Sequence, residues 1–174
     1  MTFPSHETGK EDAAPDDVVQ RHALRRSLAR LAAVQALYQV EMTNASARHV
    51  VGEFLTTCHN GIFEGQSSEA DLVKFEAIVL GVEERKSELD EHIAASLSQD
   101  WKLERLAVVL RAILRAASFE LVAALNVPAR VVINEYVALA HAFFEGDEPG
   151  FVNGILDRLA RVLRASEMEK AKGE

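Results

Sequence analysis

A single cysteine, Cys58, among 174 residues excludes an internal disulfide and a cysteine-rich zinc site. Proline is scarce: after Pro4 and Pro15 it recurs only at 128 and 149, so long stretches run without a chain breaker. No uninterrupted apolar run approaches the roughly 18–20 residues that a membrane-spanning helix needs. The segment 1–17 lacks the basic-then-apolar order of a secretion signal. There is no Gly-rich phosphate loop and no serine nucleophile elbow. His59 adjoins Cys58 without further ligands at metal spacing, and His6, His22, His49, His92 and His141 are scattered. The expectation is a soluble cytoplasmic protein with no catalytic centre, metal, cofactor or membrane partner.

What is abundant is Ala, Leu, Arg and Glu, in a chain that is 48% hydrophobic and carries a formal net charge of −8. That composition supports a packed, all-α core. Residues 1–17 read as a disordered acidic tail, 18–165 as one helical domain and 166–174 as a polar tail. The first helix is expected over about Asp17–Met42, with Leu24, Leu28, Leu31, Tyr38 and Met42 on one stripe. Val34, Leu37 and Val40 add apolar groups on its other faces, so its C-terminal half should be buried all round. Further helices are expected over about Ala45–His59, 69–86 (with Ser68-x-x-Asp71 as a cap), Ser87–Leu97 and 103–121. Two more follow, one after Pro128 and one over about Phe151–Leu163, separated by a loop at Gly146–Gly150.

Charge is unevenly spread. Arg21, Arg25, Arg26 and Arg30 fall within ten residues of an otherwise acidic chain. Guanidinium groups bind phosphate in a bidentate manner and remain charged, so a nucleic-acid surface is one reading and a solvated helix face the other. No Asp or Glu lies between Val18 and Val40, so partners one turn away are almost lacking, which favours binding. Asn134-Glu135, inside an apolar helix, reads as a structural pair bonded to neighbouring helix ends. Asn153-Gly154 contains two poor helix formers, which suits a close approach of a neighbouring backbone. Phe151 is either core or a stacking platform for an unpaired base.

Three segments, in order, carry a resemblance. They are Arg26-x-x-x-Arg30 with Ala33-Val-Gln-Ala-Leu-Tyr38; Leu114-Arg-Ala-Ala-Ser-Phe-Glu-Leu121; and Val127-Pro-x-x-Val-Val-Ile-Asn-Glu135 with Phe151-Val-Asn-Gly-Ile-Leu-Asp157. Together they resemble the NusB family of bacterial transcription antitermination factors over about residues 21–163. The resemblance implies two packed helical bundles sharing a long N-terminal helix. It implies a non-enzyme that pairs with the ribosomal protein NusE, binds single-stranded boxA RNA of ribosomal RNA operon transcripts, and meets other Nus factors and RNA polymerase indirectly. Carried over by position, RNA contact falls to Arg25, Arg26, Arg30, Tyr38, Asp147 and Phe151. Partner contact falls to Leu110 and Arg111, and structural motif positions to Asn134, Glu135, Asn153 and Gly154. The chain departs from the family pattern at Leu28, Leu31 and Leu110 and in its acidic tail. A related helical RNA- or protein-binding module acting in ribosomal RNA maturation is the alternative.

Overall fold

The computed structural model describes residues 14–171 and 173. Eight helices follow in order: α1 Pro15–Thr43, α2 Ala47–Thr57, α3 Leu72–Glu84, α4 Lys86–Ser96, α5 Val108–Ala123, α6 Ala129–Phe143, α7 Glu148–Leu163 and α8 Ala165–Lys170. A 3-10 turn at Leu103–Arg105 precedes α5. Among the described residues no helix is long and apolar enough to cross a membrane.

The first helix starts with Pro15 and the carboxylates Asp16 and Asp17, all favourable at an N-terminus. It stops at Asn44, whose φ of 54° is left-handed. Its middle buries Ala29, Ala32, Ala33 and Ala36, and these short side chains let neighbouring helices approach from several directions. Accordingly α1 packs against α2 and α3 on one side and α5 on the other, and touches α6. Two bundles thus share α1. The smaller is filled by Phe54, Phe63 and Phe75, with ring centroids 4.7–6.0 Å apart. Gly81 lets α3 lie against α5, because a Cβ there would overlap the Phe119 ring.

Ion pairs set the register. Arg30 meets Glu120, while Glu41 meets Arg111 and Arg115, so α1 and α5 run antiparallel. Asp90 of α4 holds Arg115 from the far side at 2.7 Å. At the other end Arg164 donates to the carbonyls of Glu120, Leu121, Ala124 and Val127. These carbonyls lie at the end of α5 and in the connection to α6. Glu167 of α8 accepts from the Ala129 amide at the start of α6 and pairs with Arg164 at 3.2 Å.

Several boundaries differ from those expected. Residues 15–17 belong to α1 rather than to a tail; residues 1–13 of the expected acidic tail lie outside the described residues. The span 166–170 is helical, with Met168 buried, because one apolar contact and the Arg164–Glu167 pair anchor an otherwise polar segment. The cap of α3 is Asp71 itself, accepting from the Lys74 amide at 3.0 Å. And α7 begins at Glu148, since Pro149 fits a first turn and Gly150 continues it.

Burial alone pushes the Glu120 carboxyl up; hydrogen bonds and charge from Arg30, with Lys74, outweigh this and hold it below the usual range. The unfolded chain therefore protonates Glu120 at a higher pH than the folded chain does, and acidification favours unfolding. Urea titrations should show stability falling as pH drops through and below the ordinary carboxylate range of about 4–5. Glu120→Gln should be less stable at pH 7 and show a flatter pH dependence; an unchanged slope would contradict the assignment.

Candidate nucleic-acid interface

The exposed end of α1 carries the cations. Arg21 and Arg26 are exposed and Arg25 is half-buried. None of the three forms an ion pair with a described residue. The loop before α3 fixes the backbone here: the Asp71 amide donates to the Arg25 carbonyl at 2.9 Å, and Gln66 Nε2 donates to the Leu28 carbonyl at 3.0 Å.

Arg30, one turn further on, is different. Its side chain is 2% exposed, with Nε 2.7 Å and Nη2 3.0 Å from the two oxygens of Glu120. Glu120 also accepts from the Tyr136 hydroxyl at 2.6 Å and lies 2.5 Å from Lys74 Nζ. Arg30 Nη1 lies 3.3 Å from Glu135 Oε2, which accepts from Ser27 Oγ at 2.7 Å. The expectation that Arg30 contacts RNA is corrected: its donors are turned inward onto carboxylates of α5 and α6. Looking one turn along the same helix for acidic partners missed Glu120, 90 residues away.

The other expected contacts lie apart from this end. Tyr38, 40% exposed, is about 18 Å further along α1 and about a third of a turn round it. It borders an open groove of about 670 Å³ with Met42, Phe54, Phe63, Glu53 and Glu64, so the nearby charges are negative. Asp147 is exposed just before α7, and its carbonyl accepts the Phe151 amide. Phe151 sits on the first turn of α7, half-buried against the ring of Trp101 at 5.4 Å. Trp101, 51% exposed, escaped the sequence reading because it lies in a polar connector and matches no helical stripe.

Both expected partner contacts are corrected. Leu110 is 5% exposed and belongs to the core. Arg111 is tied to Glu41 and to the carbonyls of Glu104 and Leu106. Of the four motif positions, Glu135 bonds to side chains within α1, Ser27 and Arg30, rather than to a helix end. Asn134 and Asn153 are exposed and make no hydrogen bond to a described residue. A Cβ at Gly154 would meet nothing within 4 Å, so no close backbone approach accounts for the glycine.

A model of the NusB family matches residues 27–161. The transcription antitermination protein NusB of Maricaulis maris is 45% identical over 156 residues, covering 89% of this chain and 98% of that protein. Its counterpart from Caulobacter vibrioides is 47% identical over 140 residues, covering 80% and 94%. The solved structure of T. maritima NusB superposes with a TM-score of 0.65 at 31% identity, covering 78% of this chain and 90% of that one.

Two adjacent turns of α1 should therefore respond differently to mutation. Arg30→Ala leaves buried Glu120 with only Lys74 and Tyr136 as partners and should destabilise the fold by up to about 3–5 kcal/mol. Arg26→Ala should stay within about 0.5 kcal/mol of the parent. Chemical denaturation of both variants checks this, and equal effects would contradict the burial contrast.

Proposed function

The chain belongs to the NusB family, and from that premise we propose that it is a transcription antitermination factor that binds boxA RNA together with NusE. The pair then joins other Nus factors on RNA polymerase in the cytoplasm, where elongation through ribosomal RNA operons resists termination. One observation carries the RNA reading: Arg21, Arg25 and Arg26 cluster on one helix end, without ion-pair partners among the described residues, in a chain of net charge −8. Arg21 takes the place of the buried Arg30 in this set. The arginines hold phosphates, which positions the strand; Phe151, with Tyr38 and Asp147, supplies aromatic and polar contacts to unstacked bases. The net charge of −8 opposes binding of a polyanion to the chain at large.

Three neutralised phosphates correspond to a salt slope of roughly −2 on a single strand, or about 15-fold weaker binding between about 50 and 200 mM salt. So modest an electrostatic contribution fits a factor that needs NusE for affinity and sequence preference.

Titrating boxA and a scrambled RNA, with and without NusE, tests the reading. Arg25→Ala/Arg26→Ala should weaken boxA binding and reduce the slope to roughly −0.7. Unchanged boxA affinity with NusE present would reject it. Trp101 is the only tryptophan in the chain and lies beside Phe151, so a base stacked there should quench its fluorescence. Saturating RNA that leaves the emission unaltered would remove Phe151 from the site.

A further inference from the structure

We propose that Glu135 reads an RNA base, its outer oxygen accepting a hydrogen bond from an amino or imino group of an unpaired base at the seam between α1 and α6. This rests on the arginine end of α1 being the RNA surface.

Glu135 is held at one oxygen only. Oε2 accepts from Ser27 Oγ at 2.7 Å and lies 3.3 Å from Arg30 Nη1. Arg30 is itself fixed by Glu120 through Nε and Nη2, so the group that anchors Glu135 does not move. The second oxygen, Oε1, accepts from no described residue and is not among the buried atoms lacking a partner; the side chain is 30% exposed. A carboxylate is thus presented to solvent in a fixed orientation, with little side-chain freedom left to lose on binding.

Its neighbours place it on the RNA path. Ser27 adjoins Arg26, and Arg26 stands one turn, about 6 Å, before Arg30 on the same helix side. A carboxylate repels phosphate but accepts from cytosine N4, adenine N6 or guanine N1 and N2. Placed beside phosphate-binding arginines it adds little general affinity and penalises any strand that offers no donor at that point. Its contribution of negative charge to the Arg30–Lys74–Glu120 cluster accounts for Oε2 and leaves Oε1 unexplained.

The test compares boxA with scrambled RNA at fixed salt, with NusE present, on the full chain. Glu135→Gln should weaken boxA about tenfold while scrambled RNA binds equally or more tightly, so the selectivity ratio falls. Ser27→Ala removes one orienting donor without changing charge, and should lower the same ratio by a smaller factor. Parallel shifts for both RNAs, or an unchanged ratio, overturn the inference. If Glu135→Gln lowers the melting temperature too far for titration, Ser27→Ala decides: an unchanged ratio overturns it. Arg25→Ala/Arg26→Ala separates the two levels. If that variant loses boxA affinity while Glu135→Gln keeps the ratio, only this inference falls. If it binds as the parent does, the RNA surface is wrong and the inference falls with it.

Discussion

The buried pair between Arg30 and Glu120 is the constraint on which the rest of the molecule depends. One carboxylate gathers Arg30 from α1, Lys74 from α3 and Tyr136 from α6, while sitting on α5. Burying such a cluster is not a cheap way to gain stability, because desolvation offsets much of the attraction. Its effect is positional: four helices of two bundles must meet at one point, in one register. A second ionic knot, Glu41 with Arg111 and Arg115, fixes α1 against α5 some eleven residues on, or about 16 Å along the axis. With both knots in place α1 can neither slide nor rotate, and the face it offers before Arg30 is set.

Helices were legible in the sequence where periodicity was strong and breakers were rare. Leu103 to Leu121 announced a core element, and Pro128 announced the start of the next. The 3-10 turn at Leu103–Arg105 was not legible, because its apolar spacing continues that of α5. Nor was α8, where Met168 is the one buried side chain in six residues. At the site, the sequence identified the arginine cluster but not the inward turn of its last member. That turn depends on Glu120 and Glu135, which are distant in the chain. Both are carboxylates within apolar helices, and such residues signal a buried cationic partner; the signal was present but named no partner. Asn153 and Gly154 failed for the opposite reason. Poor helix formers suggest a packing requirement, yet the structure leaves open space above the glycine.

Arg30 and Arg26 show how one repeating pattern divides between structure and surface. They sit four residues apart, carry the same group and belong to the same local motif, yet one is sealed in the core and the other exposed. What separates them is where α1 enters the bundle. Ser27 and Arg30 face α6 and α5, while every residue from Pro15 to Leu24 lies outside the packed interior. The buried arginine fixes the direction in which the exposed ones point.

That arrangement bears on how an acidic protein handles a polyanion. Removing Arg30 from the surface leaves fewer cations there than the sequence suggests, and the chain just before Phe151 carries Glu145 and Asp147 in the loop and Glu148 at the start of α7. Under the proposed function, phosphate attraction centres on the arginines at one end of α1, while aromatic and carboxylate groups elsewhere favour neutral base edges over backbone. A strand held by only a few charges dissociates readily at physiological salt unless something else retains it. Under the proposed function that second hold is the ribosomal-protein partner, and weak intrinsic affinity becomes useful: RNA lacking the partner, or lacking the right donors at fixed acceptors, is released. On that reading selectivity owes part of its origin to how few cations the end of α1 presents, a number the fold lowers by turning Arg30 inward.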